Sequence, residues 1–166
     1  MKSLAFPMVF GLAFATPVLS ADPGAEQIAR GAYLATIMDC AGCHMPRGSD
    51  GAPIIEAGLS GGTIGFEIPG LGIFWPPNLT PDASGLGGWS DAEIAAAIIG
   101  GTARDGRMLA PVMPSPSYAA LAPEDLDALI AWLRAQPPVE APRFGPVAEA
   151  DDAPAPFYRV TLPPQQ

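Results

Sequence analysis

Lysine is almost missing from this sequence. Lys2 is the only one in 166 residues, and seven arginines complete the basic set against seventeen acids. The formal net charge is −9. A chain so poor in cations lacks the basic patch that nucleic acid or an anionic membrane requires, so neither is expected as a partner. A docking protein would offer a positive face instead. Cysteine and histidine are scarcer still: Cys40 and Cys43 are the only cysteines and His44 the only histidine. A structural zinc site takes four such ligands and is therefore excluded. Glycine and proline are abundant by contrast, at 19 and 21 residues.

The opening stretch "MKSLAFPMVFGLAFATPVLSA" carries one basic residue, an apolar run from Leu4 to Leu19 and a small-residue end at Ala21. That layout predicts a signal peptide over residues 1–21, removed on export. An uncleaved membrane anchor is the rival reading, because the run approaches the length that spans a bilayer. Export predicts a periplasmic protein in an oxidising compartment, with no membrane span once the signal is cut.

Residues 22–136 read as one domain. "GAEQIARGAYLATIMDC" predicts a helix, with Ile28, Leu34 and Ile37 near one face and small Gly31 and Ala35 allowing close approach of another element. Residues 46–78 are crowded with glycine and proline, which predicts a long wrapping loop, with short extended pieces or a hairpin near "TIGFEI". Thr80 before Pro81 reads as the cap of a short helical turn. "WSDAEIAAAII" predicts a helix opened by a Ser90/Glu93 capping box and ended by Gly100-Gly101. "PEDLDALIAWLRAQ" predicts another, with Leu126, Leu129, Ile130 and Leu133 in one stripe. Residues 137–166 form a Pro-rich tail, extended or disordered, that acts as a strap on the domain or as a loose end. "FYRVTL" near its end has the alternative reading of a partner-docking segment.

The stretch "DCAGCH" carries the chemistry. A redox disulfide between Cys40 and Cys43 has no supporting βαβ pattern around it. C-x-x-C-H reads instead as the attachment site of one covalent haem c. Cys40 and Cys43 would form thioethers with the two vinyl groups, and His44 would lie under the iron as an axial ligand. No second histidine exists, so methionine is the candidate for the other axial position, which raises the reduction potential. Met38 and Met45 flank the motif too closely to cross the ring. Met113, in the proline-stiffened "APVMPSPSY", is the predicted ligand, with Met108 in "DGRML" as the alternative.

The segments "RGAYLATIMDCAGCH", "PNLTPDASGLGGWSDAEIAAAI", "DGRMLAPVMPSPSY" and "EDLDALIAWLRAQPPV" together resemble the class I monohaem c-type cytochromes. The resemblance is closer to the small cytochromes that accompany bacterial periplasmic dehydrogenases. It implies an all-α, cytochrome c-like fold in which the first and last helices cross beside the haem, with Gly31, Tyr33 and Trp132 at the crossing. It also implies Cys40 and Cys43 as thioether residues, His44 as proximal ligand and Met113 as distal ligand. Two departures stand out. Ala122-Pro123 replaces the hydroxyl-plus-acid start of the last helix, and Ser115 replaces an aromatic residue after the "MP" pair.

Further expectations concern the surroundings. Ile54, Ile55, Leu59, Phe66, Ile73, Phe74 and Trp75 should supply apolar lining. The carbonyl of Pro53 or Pro46 should accept the other ring proton of His44. Trp89 reads as core packing or a propionate donor, and Arg107 as a propionate partner or a solvated charge. Full coordination by protein ligands predicts an electron carrier rather than an enzyme. Its redox partners would be a periplasmic dehydrogenase on one side and another cytochrome or an oxidase on the other. The competing reading is a haem enzyme or gas-binding sensor with a displaceable sixth ligand.

Overall fold

The computed structural model describes residues 23–161 and Pro163; the signal peptide predicted over residues 1–21 lies outside them. Helix α1 spans Pro23–Ile37 and helix α5 spans Pro123–Arg134. They cross in direct contact, burying Leu34 and Ala35 of α1 against Ala128, Leu129, Ile130 and Leu133 of α5. Gly31 makes the crossing possible. A Cβ there would stand 2.1 Å from the Ala128 carbonyl oxygen and 2.6 Å from Trp132 Cβ. The Arg30 guanidinium closes the outer side, bonding both Asp125 carboxylate oxygens at 2.8 and 3.0 Å. Tyr33, expected at the crossing, is 55% exposed instead, with the Arg30 guanidinium 5.4 Å above its ring.

Helix α3, Asp91–Gly100, begins with the predicted reciprocal capping box of Ser90 and Glu93 and ends on Gly101 at φ 62°. Ile94 and Ile98 turn into the core. Helix α5 starts on Ala122, with no side-chain cap. Its far end is tied to α3 by Arg134, which donates to Asp91 Oδ1 and to the Leu86 and Trp89 carbonyls. The helical turn predicted at Thr80 does not form. Thr80 is buried, its carbonyl takes Leu86 N–H, and its hydroxyl is engaged by Val139 in the tail. A tertiary partner has displaced the local cap.

The all-α expectation needs correcting as well. Strands β1 (Gly65–Ile68) and β2 (Gly72–Phe74) form the antiparallel hairpin foreseen near "TIGFEI", with Phe66 opposite Phe74. A third strand, β3 (Phe157–Tyr158), comes from the tail and lies parallel to β1, giving the order β2-β1-β3. The rest of the tail runs over the wrapping loop. Phe144 meets Trp75 edge-on with centroids 6.2 Å apart, and Val147 exchanges two backbone hydrogen bonds with Ile73. The Pro156 carbonyl accepts from Gly65 N–H at 2.8 Å and from Trp75 Nε1 at 3.2 Å. Arg159 then forks onto both oxygens of Glu67. Proline cannot donate, but its carbonyl accepts, and here the loop provides the donors.

Four surface carboxyls, each half-buried, are held below their ordinary range by hydrogen bonds: Glu67 from Arg159, Asp125 from Arg30, Asp82 from the Ser84 hydroxyl and Glu93 from the Ser90 N–H. A depressed folded-state value stabilises above the unfolded value and is lost as pH falls through the folded one. The contribution of these four carboxyls to thermal stability is therefore expected to be complete above about pH 5 and to be lost progressively as pH falls below it. High salt should shrink the part owed to the Arg159–Glu67 and Arg30–Asp125 ion pairs, which are open to screening.

Candidate haem site

Asp39 breaks α1 from the short helix α2, Cys40–His44, by taking φ 55°, ψ 41°. It is the sole non-glycine residue at positive φ among the described residues. Aspartate tolerates this left-handed conformation better than most side chains. Its carboxylate folds back over Gly42, where a Cβ would stand 2.2 Å from Asp39 Oδ2. Gly42 therefore serves the turn that sets α2 in place.

On α2, Cys40 and Cys43 are three residues apart and share a face. Both are free thiols. Cys40 packs against the core beneath it, whereas Cys43 is exposed. Burial pushes the Cys40 thiol up to about 11 and raises Cys43 for the same reason. Both therefore stay protonated at neutral pH.

His44 is buried, and its Nδ1 lies 2.8 Å from the carbonyl oxygen of Pro77. A carbonyl only accepts, so Nδ1 carries the proton and donates it. That fixes the tautomer with the lone pair on Nε2, which makes no hydrogen bond to any described residue. Burial lowers the pKa of the imidazole, keeping it neutral, the form that binds a metal. The expected partners, Pro46 and Pro53, are thus replaced by Pro77. Pro46 O is already taken by Ile54 N–H, and Pro53 sits in an exposed bridge with Arg47. The wrapping loop explains the change, because it leaves α2 and returns against it. Gly61 N–H bonds the His44 carbonyl at 2.9 Å, and Gly62 packs so tightly that a Cβ would stand 2.2 Å from Cys43 O.

Of the expected apolar lining, Leu59, Ile73 and Trp75 are buried and Ile54, Phe66 and Phe74 half-buried, but Ile55 is 67% exposed. The two candidate methionines follow α3 and part company. Met108 is 66% exposed, bridged to Thr102, and its Sδ lies 3.8 Å from the Thr102 hydroxyl. Met113 is half-buried in a tight turn, with its N–H on Ala110 O and its carbonyl on Ser115 N–H. Helix α4, Ser115–Tyr118, follows at once. Ser115 is buried and bonds Ala97 O on α3, while the Tyr118 hydroxyl donates to Met38 O, just ahead of Cys40. Both ends of α4 are thereby pinned, one to α3 and one to the approach of α2. Trp89 packs against the core, and Arg107 is exposed and paired with Asp105 at 3.7 Å. Pro77 and Tyr118 carried no sequence signal: one acts through its backbone, and the other reaches a carbonyl eighty residues away.

Among the described residues no group of three or more His, Cys, Asp or Glu comes together as a metal site. The donor set present suits a different group. Two unpaired thiols one helical turn apart, followed by a buried neutral imidazole with Nε2 uncommitted, fit a covalently attached haem. The Cytochrome c family model matches residues 28–137.

The chain belongs to the cytochrome c family.

This cytochrome is similar to the gluconate 2-dehydrogenase cytochrome c subunit of Pantoea cypripedii, at 35% identity over 134 residues, which is 80% of this chain and 28% of that protein. The fructose dehydrogenase cytochrome subunit of Gluconobacter japonicus is 36% identical over 117 residues, 69% of this chain and 22% of its own length. A nicotinate dehydrogenase subunit of Pseudomonas putida is 34% identical over 145 residues, 86% of this chain and 12% of its own length. The cytochrome thus spans less than a third of each of these relatives. Among the described residues no helix is long and apolar enough to cross a membrane.

Proposed function

We propose that this cytochrome is an exported carrier with one haem c. It takes single electrons from a periplasmic dehydrogenase and passes them to a downstream cytochrome or an oxidase. The observation that carries the reading is the His44 Nδ1–Pro77 hydrogen bond, which leaves Nε2 free beside two unpaired thiols. In this reading Cys40 and Cys43 would hold the haem as two thioethers, each S–H having added across one vinyl group. His44 Nε2 and Met113 Sδ would be the two protein donors to its iron. Haem bound there supplies an iron that alternates between ferrous and ferric states.

The chain's own residues then do two things. The α1–α5 crossing and the buried Leu59, Ile73 and Trp75 would give the haem apolar surroundings. Low polarity disfavours the extra positive charge of the oxidised state and raises the potential. With His44 and Met113 both donating to the iron, no place would be left on it for a substrate. That is why the reading is electron transfer rather than catalysis. The relatives named as cytochrome subunits of dehydrogenases support a dehydrogenase as donor. The acidic surface favours a basic docking face on whichever protein approaches.

A haem enzyme or gas sensor would need a displaceable ligand in the Met113 position. Carbon monoxide distinguishes the two. The visible spectrum of the reduced protein is expected to stay unchanged on addition of the gas. Rapid conversion of most of the protein would favour the sensor or enzyme.

A further inference from the structure

The segment that offers its carbonyl to His44 is itself fastened from the other side. Pro76 and Pro77 have no N–H, so this stretch cannot fix its own register through backbone donors. Gly62 N–H holds the Pro76 carbonyl at 3.0 Å from upstream. Downstream the Leu79 N–H bonds the Leu59 carbonyl at 2.9 Å, and the side chain of Asn78, only 7% exposed, adds the remaining ties. Its Oδ1 accepts Thr80 N–H at 2.8 Å. Its Nδ2 donates to the Val139 carbonyl at 2.8 Å and to Ser84 Oγ at 3.0 Å. Thr80 is 1% exposed, and its hydroxyl meets both the carbonyl and the N–H of Val139, each at 3.2 Å. Ser84 Oγ also takes Ala141 N–H at 3.1 Å. The first residues of the C-terminal strap are thus stitched into the turn that follows Pro77.

We propose that Asn78 is a positioning residue for His44 and that the strap completes it. Val139 holds the Asn78 amide, Asn78 holds the Pro77 carbonyl in register, and that carbonyl sets the Nδ1 hydrogen bond. The strength of that bond governs how much electron density the imidazole gives to a metal on Nε2. The tail is then part of the redox site rather than packaging. The inference rests on His44 being an axial ligand.

The test uses the full-length, haem-loaded protein and three variants: Asn78→Ala, Thr80→Val and Glu67→Gln. The first two cut the strap's start from the turn by different atoms. Glu67→Gln loosens only the far end of the strap, through Arg159. The readings are hydrogen exchange of His44 Nδ1–H by NMR, the reduction potential, and exchange of the Leu129 amide in α5 as an internal control. In Asn78→Ala and Thr80→Val the Nδ1–H is expected to exchange about tenfold faster, the scale of one lost hydrogen bond. The potential should rise in both, because a weaker Nδ1 bond makes the imidazole a poorer donor. Leu129, whose amide opens only with the core, should accelerate by less than the Nδ1–H, and Glu67→Gln should match the parent at the Nδ1–H and in potential. Unchanged Nδ1–H exchange and potential in both variants overturns the proposal. So does equal acceleration at Leu129, which would mark Asn78 as structural only. If the parent itself shows no iron-bound His44 ring, the ligand reading fails first, and this inference with it.

Discussion

Met113→Ala is expected to keep the haem attached while lowering the reduction potential by on the order of 0.2 V, a fraction of the roughly 0.8 V that axial ligands span. A thioether stabilises the ferrous state; water or hydroxide in its place stabilises the ferric one. The variant should also bind carbon monoxide quickly when reduced, since nothing then competes for the open position. Met108→Ala should do neither. Met108 projects into solvent with its sulfur beside Thr102, whereas Met113 sits in a turn whose backbone bonds and following helix leave it little freedom. Spectroelectrochemical titration of both variants decides. A large drop in Met108→Ala with none in Met113→Ala would reverse the assignment.

Gly31→Val should be the most damaging single change away from the site. The added Cβ alone would stand 2.1 Å from Ala128 O and 2.6 Å from Trp132 Cβ, and the obstructing oxygen is backbone, so it cannot swing aside. The two helices must separate, and Leu34, Leu129 and Leu133 lose contact with one another's surroundings. Overpacking of this kind costs about 3 kcal/mol or more. That corresponds to a drop of roughly 10 °C in Tm for a domain of this size. The small helix-propensity gain from replacing glycine does not offset it. Gly100→Ala is the matched control, because nothing lies within 4 Å of the carbon it adds. Its thermal midpoint should stay level or rise slightly. Equal losses in the two variants would show that helix chemistry, not the crossing, sets the penalty.

Much of this architecture can be read from residue order because its causes are local. The Ser90/Glu93 capping box and the apolar stripe of α5 are each written within a turn or two of where they stand, and Gly31, though it meets α5 far along the chain, is marked by its own small size. The Cys40–Cys43–His44 cluster is legible for the same reason. What escaped depends on distant partners. Thr80 carries a sound local cap signal, but Val139 takes its hydroxyl. Pro77 reaches His44 across 33 residues by a backbone carbonyl, which no side-chain pattern reports. Strand β3 is two residues long and flanked by proline-rich chain, so no periodicity marks it. Asp39 adopts a backbone conformation usually left to glycine, and only its packing over Gly42 reveals why.

Covalent haem is the claim on which the rest depends, and the intact mass of the mature protein tests it most directly. Produced in a host able to mature c-type cytochromes, the chain is expected to weigh as the processed polypeptide plus one haem. The added mass should survive denaturation in acid acetone. A mass equal to the bare polypeptide, from a colourless product made in such a host, would contradict the account.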